Sequence, residues 1–196
     1  ILNLDDCRDF MEKCKNHSFF FNLSLNYESK GARCFPLITT TLQTMASSCL
    51  GLSAKQTMSA AQKLYEKGMI TYMRTDSTSM SKQFVSTASK YIEEKYGSQY
   101  LSLELNKLSW NKNKNKSQDA HECIRCCDVR KSSTSGDGIE SKLYNMIYTH
   151  TLKCMMKPPV YDCKNIEINA PQEYMFLHTL KKNKFVQVLH ELLNII

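Results

Sequence analysis

The sequence predicts an α+β protein, mainly helical with β segments at both flanks, on three observations. Between Leu42 and Cys154 apolar residues recur at intervals of three and four, the period of a helix with one buried face. Two of these stretches open with Ser or Thr followed three residues later by Gln, at Thr40 with Gln43 and at Ser53 with Gln56, the pattern of a capping box. Before Lys30 and after Pro159 the pattern changes to alternation, which sends successive side chains to opposite faces of a strand.

Taken in order, a short helix is expected from roughly Asp5 to Cys14. An alternating strand follows, with Phe21, Leu23, Leu25 and Tyr27 on one face and Asn22, Ser24 and Asn26 on the other. Lys30 to Arg33 break this pattern ahead of Pro36, and a domain boundary is placed there. The next helix carries Leu42, Met45, Ala46, Cys49 and Leu50 as its apolar stripe and stops at Gly51. Ser53 opens another at once, with Ala54, Met58, Ala61, Leu64 and Tyr65 on one face and Gly68 as its end. Met69 to Arg74 alternate strand-forming residues, so this unit reads helix, turn, helix, strand, as in winged helix-turn-helix modules.

A third helix is expected from about Lys82 to Tyr96, with Phe84, Ala88, Tyr91 and Ile92 inward and Gly97 as its stop. Residues 98–118 are weakly patterned, and the NKNKNK run from Asn111 to Lys116 reads as an exposed loop. Asp137 and Glu140 are placed at the start of a last strong helix with Leu143, Met146, Ile147 and Cys154 inward, closed by Pro158 and Pro159. Val160 to Ile168 then reads as strand, followed by another short strand and a helix beginning near Phe185.

Composition bounds the chemistry. With 196 residues, 42% of them hydrophobic and 23% charged, the chain can bury a core and is neither collagen-like nor disordered. No apolar run reaches the roughly 18 residues of a membrane helix, and the N-terminal ILNLDDCRD is acidic where a signal peptide is basic. Neither a membrane partner nor secretion is expected. Ile1 stands where an initiator Met would be, which reads as part of something longer. Nine Cys without framework spacing point to reduced thiols inside a cell rather than disulfides. The net charge of +7, spread over both halves, is compatible with nucleic acid without establishing it.

On a strand, Tyr72 and Arg74 project from the same face about 7 Å apart. The pair suits a nucleophile beside a phosphate clamp, because a phenol needs a nearby cation to favour its phenolate and to hold the phosphoryl oxygens it attacks. The same spacing also fits a half-buried strand tyrosine beside a solvated arginine. His121 and Arg125, four apart, share a face of a short helix if one forms there, with structural and salt-bridge roles as alternatives. Cys123, Cys126 and Cys127 beside His121 superficially suggest zinc, but no second Cys-x-x-Cys stands at ribbon spacing, and free thiols without metal are expected. Lys112, Lys114 and Lys116 offer diffuse attraction to phosphate or a solvated charge run.

The words around these residues carry more. Gly68 to Ser77 reads GMITYMRTDS, which closely resembles the active-site segment GYITYMRTDS of bacterial-type type IA DNA topoisomerases in nine of ten letters. Pro36 to Gln43, PLITTTLQ, is similar to the family's PFTTSTLQ, and Asp119 to Arg125, DAHECIR, to its DAHEAIR. The motifs stand in the family's order across residues 33 to about 160. The resemblance implies that Tyr72 attacks a single-strand phosphodiester and becomes joined to the 5′ phosphate, and that Arg74 contacts the scissile phosphate. It further implies that His121, Arg125, Thr75, Asp76 and Ser77 lie against DNA. It also implies a helical gate domain like that of the catabolite activator protein, inserted in a β-rich arch: residues 1–34 entering the arch, 35–157 the gate, 158–196 returning.

Two departures matter. Family members bind Mg²⁺ through a TOPRIM domain with an Asp-x-Asp pair, and no Asp-x-Asp occurs in this sequence. The expectation is therefore a gate domain whose TOPRIM and central domains are supplied in cis or in trans, with little or no supercoil relaxation by this chain alone. Its partner would be single-stranded DNA, wherever in the cell, nucleoid, nucleus or viral compartment that DNA lies. Secondly, Cys126 and Cys127 stand where the family has Pro and then Ser or Thr. A non-catalytic winged-helix DNA-binding module is the alternative reading. A tyrosine recombinase fits less well, because there the nucleophile follows the His and Arg, whereas Tyr72 precedes His121 and Arg125.

Overall fold

The computed structural model describes residues 3–105, 122–134 and 136–184, and they form an α+β arrangement in two compact units. One unit is Ala32–Pro158; the other combines the chain up to Gly31 with the chain from Pro159. No helix among the described residues is long and apolar enough to cross a membrane.

The second unit is a small antiparallel sheet with one helix. Helix α1 (Leu4–Lys15) is capped by Asn3, whose side chain accepts from Asp6 N at 2.8 Å, and Lys13 and Lys15 sit in its last turn, where cations offset the dipole. None of its residues is buried; Phe10 meets Tyr174 and Phe176 edge-on at 5.6 and 6.3 Å. Strands β1 (Phe21–Leu23) and β2 (Tyr27–Lys30) follow one another along one edge of β3 (Val160–Asn169), and β4 (Met175–Asn183) pairs with β3 along the other.

The single alternating strand expected from Phe21 to Tyr27 is thus interrupted. Four steps from Leu23 to Tyr27 face three from Ile166 to Cys163, so one residue is extra and a bulge forms. Ser24 supplies the reason, because its hydroxyl accepts from Asn165 N at 2.8 Å in place of a backbone carbonyl. Alternation fails there, and Leu25 is left 91% exposed. The helix expected near Phe185 and the loop Asn111–Lys116 lie outside the described residues.

The first unit is helical and holds most of the core. Helix α2 (Thr39–Leu50) ends at Gly51, which takes the left-handed φ of 66° that a side chain would disfavour. Its start is two residues ahead of the expected box: Ile38, not Thr40, is the N-cap, and the Thr41 hydroxyl, rather than the Gln43 side chain, reaches back to the N-cap N–H at 2.9 Å. Helix α3 (Ala54–Glu66) opens with the expected box, Ser53 Oγ accepting from Gln56 N and Gln56 Oε1 from Ser53 N. Helix α4 (Lys82–Tyr96) is capped by Ser81 and buries Phe84, Ala88, Ile92 and Tyr96. Cys49 and Ala54, placed inward from periodicity, are exposed. Each lies in a terminal turn of its helix.

Helix α5 (Ile139–Met155) is the axis of this unit and packs on α2, α3 and α4. Leu143, Tyr144, Ile147, Tyr148 and Leu152 are fully buried, which explains why its apolar pattern runs nearly all round. The phenols are not left unpaired: Tyr144 donates to Lys131 O at 2.5 Å and Tyr148 to Val129 O at 2.9 Å. Asp137 and Glu140 do not cap it. Gly138 is the N-cap, and Glu140 instead pairs with Lys67 and Lys63 of the α3 end at 2.6 and 3.1 Å. Those lysines hold its carboxyl below the usual range.

Candidate active site

The segment expected as a strand from Met69 to Arg74 is a braced loop. Only Ile70 makes a bridge, antiparallel to Cys126, and Leu37 makes another to Ile124. The reason is visible in the chain: Gly68, at φ 66°, reverses direction after α3, and Met69, Ile70 and Met73 drop into the core between helices instead of joining a sheet. The argument from strand spacing therefore does not apply to Tyr72 and Arg74. What they share is exposure on one short, fixed loop.

Two flanking segments fix it. On one side, Thr39 at the start of α2 donates its N–H to Thr75 O at 3.0 Å and accepts Thr75 N on its hydroxyl at 2.9 Å; that hydroxyl lies 2.8 Å from Met73 O. On the other, Thr71 N donates to Arg125 O at 3.0 Å, and the Thr71 hydroxyl accepts Arg125 N at 3.0 Å while donating to Cys123 O at 2.6 Å. Cys127 N reaches Met69 O at 2.9 Å and Ile124 N reaches Leu37 O at 2.8 Å. The three sequence motifs, distant along the chain, thus meet around the tyrosine.

Within this frame Tyr72 is 39% exposed, its ring edge-on to Tyr65 with centroids 5.3 Å apart. Arg74 is exposed and has no partner among the described residues, as is Asp76. Thr75 is buried and occupied, its hydroxyl accepting Ser77 N at 3.0 Å, and Ser77 in turn accepts Ser79 N at 3.2 Å. Thr75 and Ser77, expected to lie against DNA, use their hydroxyls to shape the loop.

Arg125 is placed differently from Arg74. Residues 122–127 are extended rather than helical, so no helical turn relates Arg125 to His121, which itself lies outside the described residues. The Arg125 guanidinium is buried, 3.8 Å above the Phe84 ring, bonded to Glu122 at 2.5 and 2.7 Å and to Cys126 O at 3.0 Å. Glu122, Thr39, Thr71 and Tyr65 were not singled out from sequence. For Thr39 and Thr71 the available signal was their position inside the motifs, which need rigid backbone around a reactive side chain.

Cys123 and Cys126 are fully buried, and burial pushes both thiols up to about 12, which keeps them protonated and unreactive. Among the described residues no three His, Cys, Asp or Glu side chains converge to hold a metal ion.

Comparison with known proteins gives a consistent answer. Residues 1–190 match the model of a DNA topoisomerase family. DNA topoisomerase 1 of Haemophilus influenzae is 44% identical over 138 residues, which cover 69% of this chain and 16% of that protein. The Escherichia coli protein of that name is 42% identical over 138 residues, with the same two shares. That of Campylobacter jejuni is 37% identical over 178 residues, 85% of this chain and 25% of that one. Among solved structures, full-length topoisomerase I from Thermotoga maritima superposes with a TM-score of 0.69 at 28% identity, over 94% of this chain and 30% of that chain.

Proposed function

The chain belongs to the DNA topoisomerase family, in its bacterial type IA branch, and on that premise we propose that it carries the nucleophile that cuts and rejoins one DNA strand. The observation that carries this is the placement of Tyr72: an exposed phenol on a loop held rigid from both sides, with an arginine two residues on that has no partner among the described residues. A reactive side chain needs access and a fixed backbone together, and most residues of this loop have only the second.

In the proposed reaction the Tyr72 oxygen attacks a backbone phosphorus, the bond to the 3′ oxygen breaks, and the proton lost by the phenol is balanced by one gained at the 3′ hydroxyl. One phosphodiester is exchanged for another, so the link stores what resealing needs and no ATP is required. Arg74 holds the phosphoryl oxygens as charge builds on them. Asp76 borders the same strand, and Thr75 and Ser77 serve it by setting the loop. Arg125 serves by anchoring the segment that leads from His121, the residue proposed to approach the DNA. The helical unit would be a gate of winged-helix, CAP-like kind, and the sheet a portion of the arch that carries it.

Mg²⁺, in the reading made from sequence, is held by a TOPRIM domain. Among the described residues none converge to ligate that ion, and the sequence lacks the Asp-x-Asp pair, so the fit is poor and no step above is routed through it. The TOPRIM and central domains would act in cis or in trans, with single-stranded DNA as the common partner, in whichever cell compartment holds it.

The test is a 3′-end-labelled single-stranded oligonucleotide incubated with the chain, with and without Mg²⁺ and a TOPRIM-bearing fragment, then denatured. Label is expected to travel with the protein when the fragment is present and to disappear with Tyr72→Phe. Salt-sensitive binding without an adduct in any arm would instead leave a DNA-binding module.

A further inference from the structure

We infer that Tyr65 is a positioning residue for the Tyr72 ring, a role that deepens the reading of Tyr72 as nucleophile and rests on it. Tyr65 lies in the last turn of α3, and its carbonyl accepts Gly68 N at 2.8 Å, so its backbone is pinned. The reversal at Gly68 and the burial of Met69 and Ile70 bring Tyr72 back alongside that turn. The two rings meet edge to face, centroids 5.3 Å apart and planes at 67°, an arrangement favoured by their quadrupoles.

Neither ring is held by burial, Tyr65 being 41% exposed and Tyr72 39%. The contact with Tyr65 is also the one ring contact that Tyr72 makes among the described residues. Thr71 and Thr75 fix the backbone on either side, which leaves rotation about the Tyr72 side-chain bonds as the remaining freedom. In-line attack on phosphorus tolerates little of that freedom, because misplacement of the attacking atom is costly in rate. Tyr65 removes it by presenting a surface against which one orientation packs. The contact uses the ring and not the hydroxyl, which makes no bond among the described residues. Phenylalanine is therefore expected to serve as well.

Two measurements on one set of proteins decide this: the parent chain, Tyr65→Ala, Tyr65→Phe and Tyr72→Phe. In NMR spectra of the chain alone with labelled tyrosine rings, the Tyr72 signal, identified by its loss in Tyr72→Phe, is expected to move toward the free-tyrosine position in Tyr65→Ala and to stay in Tyr65→Phe. In the adduct assay with the TOPRIM-bearing fragment, Tyr65→Ala is expected to slow the first-order cleavage step about threefold to tenfold, what such an aromatic pair is worth. KM for the oligonucleotide should be unchanged, and Tyr65→Phe should restore the rate.

An unmoved Tyr72 signal in Tyr65→Ala overturns the inference. So does a raised KM, which would place Tyr65 against the DNA itself, or a rate that falls equally in Tyr65→Phe. An adduct that survives Tyr72→Phe, or no adduct with the parent chain, counts against the nucleophile reading, while the NMR arm still judges the contact.

Discussion

The Thr71 hydroxyl donates to the carbonyl oxygen of Cys123 at 2.6 Å, joining the residue before the candidate nucleophile to a segment more than fifty positions away. The same oxygen accepts Arg125 N, so one side chain satisfies both a donor and an acceptor of a strand-like segment that has no full partner strand. The loop bearing Tyr72 is rigid through such substitutions for regular structure.

Replacing Thr71 with Val keeps the shape and removes the hydroxyl. Arg125 N and Cys123 O then lose a partner in a part-buried place, at a cost of about 1–3 kcal/mol. A urea unfolding series is expected to show that loss, and Thr71→Ser, which keeps the oxygen, is expected to recover most of it.

Arg74 and Arg125 are expected to separate function from stability. Arg74 is exposed and makes no hydrogen bond or ion pair among the described residues, so Arg74→Ala should leave unfolding within about 0.5 kcal/mol of the parent. Cleavage in the complemented adduct assay should nevertheless slow by about 10²–10³, the scale of a lost transition-state donor. Arg125→Ala strands Glu122 and uncovers Phe84, and should cost about 2–4 kcal/mol. That is less than a fully buried pair, because the Glu122 side chain is 34% exposed. Equal stability losses for the two variants would contradict this division.

His150 gives the helical unit an acid limit. Burial depresses its pKa below the ordinary 6.5, opposed in part by its bond to Phe35 O at 2.7 Å. A base whose folded pKa lies below its unfolded one binds fewer protons when folded, so stability is full above about 6.5 and falls as pH drops through the window beneath it. Denaturant midpoints measured from pH 7.5 to 5 should decline, and His150→Gln should flatten the decline.

The thiols should divide by burial. Cys7 and Cys49 are exposed and should be alkylated promptly at pH 8, whereas Cys123, Cys126 and Cys154 are buried, with burial pushing each thiol well up. Mass spectrometry after a short iodoacetamide pulse should find the buried three modified only in denaturant. Prompt labelling of Cys126 would mean that the Tyr72 loop opens, because Cys126 is the bridge partner of Ile70.

By itself the sequence determined what depends on near neighbours. Helix period, the Ser53 box and the glycine stops placed α2 to α5 closely, because caps and amphipathic faces are settled within a few residues. The motif words singled out Tyr72 and Arg74 as candidates. Tertiary structure alone decided the rest. Whether Met69 to Arg74 became strand or loop depended on what lay beside it, and among the described residues that is a single bridge rather than a partner strand, which alternation cannot report. The bulge at Ser24 depended on Asn165, and the fate of Arg125 on Phe84 and Glu122, each supplied by folding rather than by spacing. Arginine is the same residue in both places of the site; Arg74 faces solvent and Arg125 lies under an aromatic ring because of what packs around each, and only the packed molecule holds that information.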